Sequence, residues 1–312
     1  MLRFIAQRLG AALVLIVVVS FVAFVLTWFS PGDPALAILG QAASPAALAA
    51  KRAELGLDRN VFEAYFAWAQ HALTGDLGTS WFSNRPVSES IATRLPVTIT
   101  IAVTAVVLSG VLGAAIGLWA AARRGAVDNA IRPLSVLGYA IPNFIVAILL
   151  VTIFAIDLRV LPATGWVDFS ADPGGWFRSI ILPVAALSLA AVAAVAQQMR
   201  NAAIATLQQD YIRTLRGRGL GGASIYLKHV LRNSAPVALT VLSLQFIGLL
   251  SGAVVIEYVF GLPGIGALSV GAAVQQDQPV IQGVVVTVVI VVVVVNLLVD
   301  LAYTWLNPKV RS

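Results

Sequence analysis

Asp210–Pro236 reads DYIRTLRGRGLGGASIYLKHVLRNSAP. It holds five arginines and lysines against one acid, and it lies between two apolar runs, 179–199 and 236–258. Runs of about 20 apolar residues can cross a bilayer as helices at about 1.5 Å per residue. A short basic loop between two such runs belongs on the cytoplasmic face. Within the stretch, 209–218 read as one helix, with Gln209, Arg213 and Arg216 on one stripe and Ile212 and Leu215 on another. Gly219, Gly221 and Gly222 break it. Residues 223–232 restart it, with Leu227, Val230 and Leu231 on one face and Lys228, His229 and Arg232 on the other. Two short amphipathic helices joined by glycines make a compact platform that a partner can grip. A basic loop resting on anionic lipid accounts for the same composition.

Working outward, the chain has 312 residues, 59% apolar and 11% charged. A soluble domain carries about a quarter charged residues, so lipid is the main solvent here. The net charge of +6 then serves to orient the chain in the bilayer and does not point to nucleic acid. There is no cysteine, which excludes disulfides and thiolate chemistry. Six runs are long enough to span: 9–29, 97–120, 134–156, 179–199, 236–258 and 280–305. The last contains the unbroken valine tract Val291–Val295. At this length in lipid it is expected to be helical, because a helix satisfies its own backbone. The first run follows Arg3 and Arg8 and is longer than a signal-peptide core, so it reads as an uncleaved anchor. With the N-terminus inside, 13 of the lysines and arginines fall inside and 7 outside. Five of those seven lie in one long segment, where charge orients weakly. Both termini are therefore expected in the cytoplasm.

Residues 30–96 form the one sizeable outside segment, with helical patterns at 46–54 and 61–73 and with Trp68 and Trp81 suggesting a small packed cap. Pro142 interrupts the third run and would bend it, as a packing kink or as a gate. No lysine follows a glycine, so there is no phosphate loop, and neither histidine begins a zinc-protease motif. His71 and His229 fall on opposite sides of the membrane. Gly266-Ala267-Leu268-Ser269 misses the spacing of a nucleophile elbow. An enzymatic role is not expected. Among the few polar residues in the spans are Gln197, Gln198, Gln245, Glu257, Asn296 and Asp300. The two carboxylates sit near helix ends, within expected reach of water. No chain of deep carboxylates crosses the membrane, which argues against a proton- or sodium-driven carrier.

The platform resembles the EAA loop of ABC importer membrane subunits, whose pattern is EAA, three residues, glycine, nine residues and I-x-L-P. Here Arg213-Thr214-Leu215 stands in place of EAA, Gly219 is the glycine, and His229-Val230-Leu231-Arg232 occupies the end. The glutamate, the alanines and the final proline are absent. Those departures are similar to the oligopeptide/dipeptide permease branch, whose loop reads like DYVRTARAKGL…RHALRNAL. Pro31-Gly32-Asp33-Pro34, Gly75-Asp76-Leu77-Gly78, Arg94-Leu95-Pro96-Val97-Thr98 and Glu257-Tyr258-Val259-Phe260-Gly261-Leu262-Pro263-Gly264 resemble the same branch in order and spacing.

The resemblance implies an all-α polytopic membrane protein of the type I importer permease fold in a bacterial inner membrane. It would comprise an anchor at 1–29, an extracytoplasmic segment at 30–96, a five-helix transport core at 97–305 with its coupling loop at 201–235, and a cytoplasmic tail at 306–312. ATPase docking is expected from Arg213, Thr214, Leu215, Arg216, Arg218, Gly219, Leu220, Lys228, His229 and Leu231. The translocation path or outer gate is expected at Pro142, Asn143, Gln245, Ser251 and Glu257. The implied partners are a second homologous permease, two ATP-binding subunits or a fused pair, an extracytoplasmic solute-binding lipoprotein, and membrane lipid. The chain itself would bind no cofactor or metal; ATP and magnesium would sit on the ATPases. Peptides are the expected cargo, with nickel, glutathione or another small solute as alternatives. A secondary transporter or a membrane scaffold are the readings of a different class.

Overall fold

A computed structural model describes residues 2–123, 138 and 140–306. Eleven helices order the described residues: α1 Leu2–Trp28, α2 Pro34–Leu39, α3 Pro45–Glu54, α4 Val61–Leu73, α5 Val87–Ala122, α6 Asn143–Leu150, α7 Pro173–Leu207, α8 Asp210–Gly217, α9 Leu231–Val259, α10 Ile265–Gln275 and α11 Gln278–Leu306. A π-helical turn, Val151–Asp157, extends α6, and Gly222–Ser224 with a second π turn, Ile225–Val230, leads into α9. The only β contact among the described residues is an isolated bridge between Thr79 and Pro86.

Five of these helices are long and apolar enough to cross a bilayer: Gln7–Trp28, Val87–Ala122, Pro173–Leu207, Gly222–Val259 and Gln278–Ala302. The third predicted run is represented by the shorter apolar helix Asn143–Asp157. Its first part, 134–137 and residue 139, lies outside the described residues, as do Arg124, Arg132, Lys309 and Arg311. Pro142 does not kink a continuous helix. It is the N-cap of α6, with φ −59° and ψ 138°, where its missing N–H costs no helical bond. Pro96 does not delimit α5 either. The helix starts at Val87 and runs through it, as spanning helices tolerate. The helix α10 follows the Gly261–Gly264 loop and has no counterpart in the sequence reading.

The chain divides into two compact units, one of Met1–Val97 with Pro263–Val294 and the other of Thr98–Leu262 with Val295–Ser312. In the first, side-chain oxygens cap the short helices: Asp33 for α2, Ser44 for α3 and Asn60 for α4. Tyr65 pins α4 to α1. Its hydroxyl lies 2.9 Å from Ser20 Oγ and donates to the Val17 carbonyl at 3.3 Å. Its ring meets Phe21 and Phe24 edge-on at centroid distances of 5.1 and 5.6 Å. Gln282 Nε2 on α11 donates to the Ser20 carbonyl at 2.8 Å. Val87, Ile91, Ile265, Ala272, Val280 and Val284 form the apolar core of this unit. A Cβ on Gly283 would fall 2.5 Å from Val87 Cγ1, so only glycine admits the contact. Asp277 accepts hydrogen bonds from Ser80 Oγ and the Trp81 N–H and fixes the turn before α5.

In the second unit α7 is the most buried spanning helix. Apart from Arg200, its buried positions are small or apolar, among them Ala186, Leu187, Ala191, Val195 and Met199. α5 approaches it closely. A Cβ on Gly113 would fall 2.7 Å from Val195 Cβ, and one on Gly117 2.5 Å from the Ala196 carbonyl. Without a hydrophobic drive between helices in lipid, small residues supply association by close van der Waals packing. Ser243 Oγ donates to Asn296 Oδ1 at 2.9 Å and ties α9 to the end of α11. By contrast, the apolar window of α1 is almost wholly unburied, as is that of α11, which suits contact with lipid.

Candidate functional site

The platform residues are assembled by a helix stop. α8 begins with Asp210 in its first turn and carries Arg216 in its last, both favourable to the helix dipole. At its end the Gly219 N–H bonds the Arg216 carbonyl at 2.9 Å, and the Leu220 N–H bonds the Leu215 carbonyl at 3.2 Å. This pair of bonds is a Schellman motif, which requires a left-handed residue one position past the cap. Gly219 supplies it with φ +81°. No atom lies within 4 Å of a Cβ built there, so the demand is on backbone conformation and not on space. Leu215 and Leu220, which bracket the motif, pack on one apolar cluster. Gly221 and Gly222 do not share this role: Gly221 is extended with φ −66° and ψ 149°, and Gly222 opens the next helical turn.

The cluster beneath holds Ala121 of α5, Ala203 and Leu207 of α7, Ile212 of α8, and Ile225 and Val230 of the π turn. Ile212 and Val230 are fully buried. The knob is thus footed on three spanning helices. Ile212 and Leu215 share the inward face, matching the stripe read from sequence. The second half differs. Residues 222–230 are continuous with α9 and include a π turn, so the inward positions are Ile225 and Val230, five residues apart as the wider i→i+5 winding demands. Leu227, placed on the inner face by α-helical periodicity, is 64% exposed. Asn233 Nδ2 donates to the Tyr211 hydroxyl at 2.9 Å and to the His229 carbonyl at 2.8 Å and cross-braces α8 to α9. Burial raises the Tyr211 hydroxyl pKa above its ordinary value, opposed by that hydrogen bond.

On the outward side Arg213, Thr214, Arg216, Arg218, Gly219 and Lys228 are exposed, while His229 and Leu231 are half-buried. The result is a cationic surface on a rigid footing, suited to an acidic or polar partner.

The residues expected along a path are not gathered in one place. Pro142 and Ser251 are exposed, and Gln245 is half-buried. At about 100° per residue, Gln245, Ser251 and Glu257 fall on three different sides of α9. Asn143 does approach α9: a Cβ on Gly252 would sit 3.2 Å from its Nδ2. Glu257 departs from expectation. It is fully buried and accepts a hydrogen bond from Thr98 Oγ1 at 2.5 Å, because α5 covers the end of α9 that the sequence reading left open to water. The Thr98–Glu257 pair was visible in sequence only as two separate polar residues 159 positions apart.

Apolar spanning helices, closely packed through glycines within the second unit and bearing a braced cationic platform, define a multi-pass membrane protein. The fold is similar to a chain in inward-facing conformations of the MetNI methionine ABC transporter, with TM-score 0.54 over 70% of this chain and 96% of that one at 15% identity. The chain belongs to the family of binding-protein-dependent transport system inner membrane components, the permeases of ABC importers; the family matches residues 113–312, and its N-terminal component matches residues 1–102. A putative peptide transport system permease protein of Brucella abortus strain 2308 is 38% identical over 312 residues, covering 100% of this chain and 99% of the relative. A probable peptide ABC transporter permease protein of Sinorhizobium fredii is 36% identical over 309 residues, with 99% of each covered. The glutathione transport system permease protein of Salmonella choleraesuis is 36% identical over 312 residues, covering 100% of this chain and 99% of the relative.

Proposed function

We propose that this permease forms half of a translocation path for peptides or closely related small solutes delivered by an extracytoplasmic binding protein. Its partners are a second homologous permease and two ATP-binding subunits, on which ATP and magnesium act. It crosses the inner membrane six times with both termini in the cytoplasm, the third crossing running over 134–156. The platform 209–232 faces the cytoplasm and docks on an ATPase through Arg213, Arg216, Arg218 and Lys228. The observation that carries this reading is the Gly219-terminated α8 seated on α5, α7 and the π turn that leads into α9, at one apolar cluster. Interiors are close-packed and transmit displacement as rigid bodies. An ATPase that moves α8 on closing therefore moves three spanning helices together, a small shift amplified into a change of access. Full-length likeness to permeases named for peptides and glutathione supports the cargo class.

The test is the reconstituted complex in lipid. Solute-loaded binding protein should stimulate its ATPase, and R213E with R216E should weaken ATPase co-purification, more so in low salt, where exposed charges are least screened. Intact co-purification and coupling in the double variant would move docking away from these arginines. Uptake that survives vanadate but fails with an uncoupler would instead favour a secondary transporter.

A further inference from the structure

The short helix α4 has two apolar faces, and one of them is largely uncovered. The first, carrying Tyr65 and Trp68, packs on Phe21 and Phe24 of α1. The second is a stripe of Phe62, Phe66 and Leu73, which are 55%, 61% and 86% exposed. At about 100° per residue these three fall within roughly 40° of one another. Glu63 and Gln70 fall together on the next face, roughly 40–100° further round, and both are exposed. The helix is therefore amphipathic twice over: one side for α1, one apolar side that touches α1 through Phe62 and is otherwise uncovered, one polar side for water.

Its depth follows from its attachment. The Tyr65 hydroxyl bonds the Val17 carbonyl and Ser20 Oγ, and Phe62 stacks on Phe21 at 5.9 Å. Phe21 and Phe24, on which the rings of α4 pack, lie seven and four residues before Trp28, the last residue of α1, hence about 6–10 Å below that end of the helix at 1.5 Å per residue. The Gln7–Trp28 span is almost wholly unburied, and its Val18, Val22 and Leu26 are 52%, 48% and 68% exposed. Lipid must cover α1 at this level, and α4 is bonded to α1 at the same level.

We infer that α4 lies within the bilayer interface and that Phe62, Phe66 and Leu73 contact the acyl chains of the leaflet at the Trp28 end of α1. The segment is thereby a membrane-seated brace for the anchor helix and not an aqueous cap. A helix with a strong apolar stripe beside a polar one adopts this pose in an interface. The inference requires only that α1 crosses the membrane, so it stands or falls separately from the importer reading.

The chain has no cysteine, so single labels are clean once the partner subunits are cysteine-depleted. The assembled complex is placed in nanodiscs with F62C, F66C, L73C, E63C or Q70C carrying a fluorescent label. Brominated lipid should quench the labels at 62, 66 and 73, and aqueous iodide those at 63 and 70. Iodide quenching at 66 and 73 without lipid quenching would establish an aqueous cap and overturn the inference. Shielding of 66 and 73 from both agents would establish a protein partner on the stripe and overturn it equally. Should F66C fail to assemble, F62C and L73C test the same stripe from either end.

Discussion

At the scale of single residues, Gly219 is the most constrained position of the platform. Its φ of +81° lies in a region that costs an L residue about 1–2 kcal/mol, and the Schellman motif cannot form without it. Gly219→Val should leave the spans inserted, because lipid burial dominates their stability, while co-purification of the ATPases and ATP-dependent uptake fall. Gly219→Asn, which tolerates this region, should retain much of both. Equal loss with Asn and Val would point to something other than backbone conformation. The buried Thr98–Glu257 bond makes a second case. Thr98→Val removes a donor and should lower stability by about 1–3 kcal/mol, seen as a lower melting temperature of the purified complex. Glu257→Gln keeps an acceptor and should cost less; a cost equal to that of Thr98→Val would show that the charge, not the hydrogen bond, holds this end of α9.

At the scale of elements, the footing of the platform is the feature to disturb. Ile212 is fully buried among residues of α5, α7 and the π turn. Truncation of such a side chain costs about 2–5 kcal/mol. Ile212→Ala should loosen α8 without removing any cation, so ATPase would still bind while hydrolysis proceeds with reduced solute uptake. Unchanged coupling, measured as solute moved per ATP, would show that the footing does not transmit motion. The elements themselves were largely legible. Length and apolarity located the long spans, and the α8 stripe followed from 3.6-residue periodicity. Three features were not. The π turn before α9 breaks that periodicity, so Leu227 was put on the wrong face. Pro96 reads locally as a boundary, yet the spanning helix absorbs it. α10 follows a glycine-rich loop, has no polar stripe, and offers no amphipathic signal.

At the scale of the molecule, orientation was read from charge alone, and the burial pattern is silent on which face is which. Cysteines introduced at Ser44 and Ser170 should react with an impermeant reagent in intact cells, and one at Ser224 should react only after permeabilisation. Labelling of Ser224→Cys from outside would invert the orientation and remove the platform from any ATPase. The candidate path was least legible of all. A path through a bundle is lined by whichever faces two subunits turn toward each other, and one chain's periodicity does not mark that face in lipid, where lining and lipid-facing positions are both apolar. The Thr98–Glu257 contact needed tertiary structure for a related reason: nothing in the local sequence of α9 announces the hydroxyl that α5 brings to it.

The valine tract of α11 carries one more consequence, for biosynthesis. Val291–Val295 sits in a span that its own protein scarcely covers. It is helical because lipid offers the backbone no other partner. In water the same uncharged, proline-free, β-branched segment has the composition of a cross-β nucleus. The ribosome must therefore hand this last helix to the membrane before it meets water or another copy of itself. Translation without membranes should yield detergent-resistant aggregates, and replacing alternate valines in the tract by leucine, a better helix former, should suppress them while leaving the inserted protein unaltered.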